Sequence, residues 1–244
     1  MKLSTHTHTQ ERLALVEWVA RIGVVTAEAL AIREGCTVAS ARARLNGARR
    51  AGLLARERPL TDQPAVFTAT RAGLRASSLV GVAPARVSAA SARHAIVCAA
   101  VAAALERRYP DHRLVGEREL RRQESLPGVP VASASLGFGA RGDRLLHRPD
   151  LVLLSPVAEG AAPVAVEVEL TVKAPRRLLA ICRAWARARH LAGVLYVVTP
   201  EVRGPLERAI TEARASAAIT QIPLEALAET APRHADQRTV TASA

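Results

Sequence analysis

Two apolar runs of this chain carry carboxylates at positions that a strand would bury, and this limits what the chain can fold into. The first is His147-Arg148-Pro149-Asp150-Leu151-Val152-Leu153-Leu154; the second is Val164-Ala165-Val166-Glu167-Val168-Glu169-Leu170-Thr171-Val172-Lys173. Both are rich in Val and Leu and read as buried strands. Side chains alternate along a strand, so Glu167, Glu169, Thr171 and, if the strand continues, Lys173 share one face, while the valines and Leu170 take the other. A carboxylate among apolar neighbours is costly unless something compensates it. A divalent cation held by oxygen ligands does so.

Lys173 stands out because the chain uses arginine almost throughout; its lysines are Lys2 and Lys173 alone. An ammonium is a compact charge whose pKa shifts on burial, which a guanidinium does not reproduce. At a rise of roughly 3.3 Å per residue, a regular strand would carry Lys173 about 20 Å beyond Glu167. Two arrangements follow. Either the chain curls after Thr171, with Ala174-Pro175 ending the strand, and brings the ammonium back, or Glu169 acts at the site and Lys173 meets phosphate near the next helix. The second is the expectation.

With 244 residues the chain can bury a substantial core as one large domain or two smaller ones. Alanine supplies much of its apolar content and aromatics are 2%, which favours Ala-rich helices and Val/Leu strands. A net charge of +12 points to a polyanionic partner. Cys36, Cys98 and Cys182 are isolated, with neither metal spacing nor a disulfide framework, so a reducing cytoplasm is expected. No signal peptide is apparent, and no segment reads as a membrane span; the run from Val97 to Leu105 reads as an ordinary helix.

Residues 1–9 and 229–244 are polar and expected to be disordered tails. Between them, residues 10–80 hold three helices, two short strands and a further helix. Thr26 caps a helix over Ala27–Arg33 ended by Gly35, Thr37 caps another to about Arg50 ended by Gly52, and Thr70 starts the last. Strands are expected over Leu53–Arg58 and Ala65–Ala69. Residues 81–90 are a Pro/Ala-rich linker. Residues 91–228 follow with a helix over Ser91–Arg108, a strand over Leu114–Leu120, a hairpin or loop over 121–146, and the two acidic strands. A helix from Pro175 to about His190, a strand over Leu191–Thr199, a helix over Pro200–Ala215 and a strand over Ala218–Ile222 complete it.

Helix, helix, capped helix, Gly-Leu-Leu and a hairpin is the order of a winged helix-turn-helix, and residues 10–80 resemble that superfamily. The match lies in Ala27-Glu28-Ala29-Leu30, Thr37 to Gly52, and Phe67 to Gly73. Val38, Ala41, Leu45 and Ala48 share one face of the third helix and should pack inward. That leaves Ser40, Arg42, Arg44, Arg49 and Arg50 to meet double-stranded DNA, where arginine reaches phosphate or guanine edges. The alternative is a solvated arginine face on a helix that packs against another protein.

Helix, strand, strand with Asp, strand with Glu-x-Glu, helix, strand is in turn the order of the PD-(D/E)xK nuclease core, and Pro149-Asp150 reproduces its dipeptide. The resemblance implies an α/β core in which Asp150 and Glu167 hold Mg²⁺ or Mn²⁺ and a third group orients the attacking water. Glu169 stands where that pattern has Lys, and Lys173 lies four residues further on. As a whole, residues 10–225 resemble the replication-relaxation family of actinobacterial plasmids and mobile elements, with Arg93-His94, Glu117, His-Arg-Pro-Asp and Glu-Val-Glu-Leu-Thr-Val-Lys as the shared features. That resemblance implies double-stranded DNA and plasmid replication proteins as partners, admits a homodimer, and involves no membrane. It implies DNA nicking or cleavage at Asp150, Glu167, Glu169 and Lys173. The alternative is a non-enzymatic regulator or replication accessory with a degenerate core. Glu117 either completes the metal site or pairs with Arg118 or Arg121.

Overall fold

Three threonines set the starts of three helices. In a computed structural model that describes residues 3–77, 79, 81–125, 130–155 and 161–228, Thr26, Thr37 and Thr70 each accept a hydrogen bond from a backbone N–H of the first turn. An extended residue with an oxygen side chain satisfies a donor that the helix itself cannot. The helices they open are α2 (Ala27–Glu34), α3 (Val38–Arg50) and α4 (Arg71–Ala76). Gly35 closes α2 at φ 64°, a left-handed conformation that glycine adopts at no steric cost.

Before them runs α1 (Leu3–Ile22). The helix takes in residues 3–9 of the polar stretch expected as a tail, although their sequence has no apolar stripe; residues 1 and 2 lie outside the described residues. The expected tail over 229–244 lies outside the described residues. A three-stranded antiparallel sheet, β1 (Val25–Thr26), β3 (Val66–Ala69) and β2 (Leu54–Glu57) in that order, closes the first half. Its core comprises Val16, Trp18, Val19, Leu30, Ala41, Leu45, Ala48 and Phe67.

The second half begins with α5 (Ala89–Arg108). It is followed by β4 (Arg113–Gly116), α6 (Glu117–Gln123), the hairpin β5 (Ala134–Phe138) and β6 (Arg144–His147), then β7 (Leu151–Leu154) and β8 (Val164–Glu169). The last elements are α7 (Pro175–Ala186), β9 (Gly193–Val198), α8 (Pro200–Glu212), β10 (Ile219–Pro223) and α9 (Leu224–Ala228). Five strands form a mixed sheet in the order β10-β9-β8-β7-β4. β4, β7 and β8 run antiparallel in turn, while β8, β9 and β10 run parallel. The protein is mixed α/β.

One face of this sheet packs Val166, Val168, Leu151 and Leu153 against Val101 and Leu105 of α5. The other packs Ala165, Val194, Tyr196 and Val198 against Leu178, Ile181 and Trp185 of α7 and Leu206 of α8. Helix α5 also sends Ala99 and Ala103 into the first core. Ion pairs reinforce the junction: Glu106 meets Arg33 at 2.5 Å and Arg21 at 3.6 Å, and Arg33 lies 5.0 Å over the Trp18 ring.

Two further expectations are corrected. The strand over Leu114–Leu120 ends at Gly116, and Glu117 opens a helix instead. A Cβ at Gly116 would come 2.6 Å from the carbonyl oxygen of Arg21, so the chain passes the end of α1 here at a distance only glycine allows. Glu117 and Glu119 then occupy the first turn, where the helix dipole favours acids. Contrary to the reading that no segment is long and apolar enough to cross a membrane, α5 meets that test by length and composition. In this fold its apolar residues fill the two cores just described.

Candidate functional site

Strand β7 begins at Leu151, directly after Asp150, and one step of its register before the Leu151–Val166 pair sets Asp150 beside Glu167. There the Asp150 carboxylate replaces the missing strand. Its Oδ2 accepts a hydrogen bond from the Val168 N–H at 2.8 Å. The carbonyl oxygen of Val168 lies 3.0 Å from Nε2 of His94 on α5, and that nitrogen is 3.4 Å from Asp150 Oδ2. A carbonyl only accepts, so Nε2 carries a proton, and in the neutral ring Nδ1 keeps its lone pair. The hydrogen bond to Asp150 raises the His94 pKa, against the opposing effect of burial. The Asp150 carbonyl oxygen accepts from the Glu117 N–H at 3.0 Å, which ties the start of α6 to the same point.

Cys98 lies one turn along α5 from His94, with Sγ 3.6 Å from Nδ1 and 3.7 Å from Nε2. Burial pushes its thiol well up, and the charges of Asp150, Glu167 and Glu117 push it further. His94, Cys98 and Asp150 each present a ligand atom, all within 4.8 Å of one another. Sequence reasoning treated the cysteines as having no metal spacing and His94 as structural. The i,i+4 spacing of His94 and Cys98 was the available signal; the third member comes from β7 and cannot be read locally.

Glu167 and Glu169 take the face of β8 turned towards α7, as the alternation of the strand required. Both are 5% exposed. Glu167 Oε1 is 2.8 Å from His147 Nε2, close but without the alignment of a hydrogen bond. The His147 ring stands edge-on to buried Trp185, with centroids 5.4 Å apart. Burial raises the Glu167 pKa, and contact with His147 holds that rise down.

Strand β8 ends at Glu169, and the chain turns before Pro175. Lys173 is therefore not carried about 20 Å away along a regular strand. Its ammonium pairs with Glu169 Oε2. Burial pulls its pKa down, while Glu167 and Asp150 pull it up and Arg177 adds to the lowering. Asp150, Glu167, Glu169 and Lys173 are thus brought to one end of the sheet. They do not share a single ligand cage, because Glu167 faces His147, Glu169 faces Lys173 and Asp150 faces His94. Glu117 pairs with Arg121 at 2.5 Å and still borders the cleft beside Asp150.

That cleft, of ≈ 670 Å³, lies between the end of α1, residues 83–87 and α5. Arg71, Arg86 and Arg118 line it together with His94, Cys98, Glu117 and Asp150. Burial lowers the Arg118 pKa.

On α3, Ala41, Leu45 and Ala48 are fully buried and Val38 partly so. Ser40, Arg42, Arg49 and Arg50 are exposed. Arg44 is half-buried and pairs with Glu34, and Arg42 lies 3.8 Å from Glu28. Two of the five side chains thus have acidic partners within the fold. Arg176, Arg177, Arg183 and Arg187, on or next to α7, are exposed. Comparison with family models, curated proteins and solved structures gives no match.

Proposed function

We propose that the protein binds double-stranded DNA through a winged helix-turn-helix built from α1 to α4 with β1, β2 and β3, and acts on it at a PD-(D/E)xK-like core. On this reading it serves replication or relaxation of a plasmid or mobile element, alongside replication proteins. Supporting it are the element order α5, β4, β7, β8, α7, β9 and the exposed Ser40, Arg42, Arg49 and Arg50 on α3. One observation carries the catalytic half: the chain turns after β8 so that the scarce lysine, Lys173, meets the carboxylates instead of leaving them.

Mg²⁺ or Mn²⁺ takes oxygen ligands, and Asp150 and Glu167 on neighbouring strands supply them. Asp150 fits this role, since its protein contacts involve one oxygen, Oδ2. Glu167 fits on leaving His147. A bound ion would polarise a phosphate and lower the pKa of a water. In this reading Lys173 neutralises Glu169 and offers an ammonium to the phosphate. His94 keeps the Asp150 carboxylate oriented.

The test is incubation with supercoiled plasmid and Mg²⁺ or Mn²⁺. Nicked product that disappears in Asp150→Ala supports the enzyme; no product in either leaves the accessory role. The accessory reading has its own observation. Glu167 is buried against His147 and its pKa is raised by burial, which suits a scaffold better than an open metal ligand.

A further inference from the structure

We propose that His94, Cys98 and Asp150 form a binding site for a transition-metal ion, Zn²⁺ by its chemistry, with an open coordination position towards the arginine-lined cleft. The proposal goes beyond DNA binding and cleavage and does not rest on them. It shares Asp150 with the Mg²⁺ site but differs from it in its other donors: it takes one nitrogen and one sulfur from α5 beside that one oxygen.

Spacing is the first argument. Tetrahedral Zn²⁺ holds Cys sulfur at about 2.3 Å and His nitrogen or carboxylate oxygen at about 2.0–2.2 Å, which sets ligand atoms roughly 3.4–3.6 Å apart. Cys98 Sγ lies 3.6 and 3.7 Å from the two His94 nitrogens, and Asp150 Oδ2 lies 3.4 Å from Nε2. With Nε2 as the nitrogen ligand, two of the three separations are therefore close to the required value before any ion enters, and all three atoms lie within 4.8 Å of one another.

Donor type is the second. A sulfur ligand disfavours Mg²⁺ and Ca²⁺ and selects a softer ion. Three protein ligands leave a fourth position, the pattern of a zinc site that takes water or an exogenous ligand. Arg71, Arg86 and Arg118 line the cleft beside Glu117, an excess of cations, so that ligand would be anionic.

Preorganisation is the third. A residue of β8, Val168, orients one of the ligands, its N–H binding the Asp150 carboxylate, while its carbonyl, 3.0 Å from Nε2 of His94, yields that nitrogen to the ion. Metal-binding side chains commonly depend on such outer hydrogen bonds. Uptake exchanges the Cys98 thiol proton, released to solvent, for the ion. A ring proton on the ligating nitrogen of His94 moves to the other nitrogen.

The experiment uses the full chain, stripped with a chelator and titrated with Co²⁺, whose spectrum reports its ligands. Wild type should take up one equivalent and show a thiolate-to-cobalt charge-transfer band with intense tetrahedral visible bands. Both should be lost on adding Zn²⁺. The near-isosteric Cys98→Ser should lose the charge-transfer band, and Cys36→Ser should keep it. A second measurement needs no variant: Zn²⁺ should block alkylation of Cys98 in the folded wild type, read by mass spectrometry. Wild type without a thiolate band, a band that survives in Cys98→Ser, or Cys98 alkylation unchanged by Zn²⁺ would each overturn the proposal. Because no DNA is present, failure here leaves plasmid nicking to be judged on its own assay.

Discussion

His147→Ala should destabilise the protein, and by an amount that depends on pH. The side chain of Glu167 is 6% exposed and its partner is His147. Removing one member of a buried pair costs about 3–5 kcal/mol when the remaining charge has nowhere to go. For a chain of this size each kcal/mol shifts the melting temperature by about 2–4 °C, which gives a drop of roughly 6–20 °C. The carboxyl can escape part of that cost by keeping its proton. Its pKa is already raised by burial, so between the ordinary carboxylate range and the folded value the native protein holds a proton that the unfolded chain has lost. Stability falls with rising pH across that window and is level above it. Removing His147 removes the two largest influences that hold the shift down and leaves the weaker one of Lys173, so the window extends upward. His147→Ala should therefore cost more at about pH 8 than at about pH 5, close to the ordinary carboxylate range, where keeping the proton in the folded state costs little. A pH-independent loss from the Trp185 contact accompanies it, about 0.5–1.5 kcal/mol. The assay is urea unfolding of wild type, His147→Ala, Glu167→Gln and the double variant at both pH values. If His147→Ala costs the same at both, or is equally pH-dependent in the Glu167→Gln background, the pairing does not govern the carboxyl and the reasoning fails.

Other outcomes follow from the same geometry. Arg49→Ala with Arg50→Ala should weaken duplex DNA binding and lower the salt slope by about 0.9 for each phosphate no longer neutralised; an unchanged slope moves the DNA surface elsewhere. Arg44→Ala should matter less to DNA, because Glu34 already engages that side chain, and filter binding on a salt series separates the two. Gly73→Ala would place a Cβ 2.1 Å from the carbonyl oxygen of Leu53. Forcing α4 away from the start of β2 should cost about 1–3 kcal/mol, or about 2–12 °C in a thermal melt. A melt unchanged within error would show that the helix shifts freely.

What could be read from the chain was what local chemistry decides. Thr26, Thr37 and Thr70 spell their helix starts because capping involves a side chain and a backbone group three residues away. The alternation in Val166-Glu167-Val168-Glu169 separated the two faces of the strand, though not which helix covers each. The strand expected over Leu114–Leu120 stops at Gly116 because its end is imposed by the close passage of Gly116 over α1, a contact between distant segments. The start of α1 gave no sign because residues 3–9 carry no apolar periodicity. Lys173 could be placed only by knowing that β8 stops at Glu169, and His94 and Cys98 acquire their third neighbour only when β7 is brought up to α5. In each of these tertiary cases the deciding approach joins segments that sequence reading treats separately.

Helix α5 belongs to two cores at once, Ala99 and Ala103 to the first, and Val101, Ala102, Ala104 and Leu105 to the sheet. Neither half can open without stripping one side of that helix of its packing, and Glu106 would part from Arg21 and Arg33 in the same event. The two halves are therefore coupled in their unfolding, as a keystone couples the sides of an arch. A cut in the chain between residues 81 and 88 would leave two pieces that still hold each other, and a lesion in the first core would be felt at His94 and Cys98, which ride on the same helix.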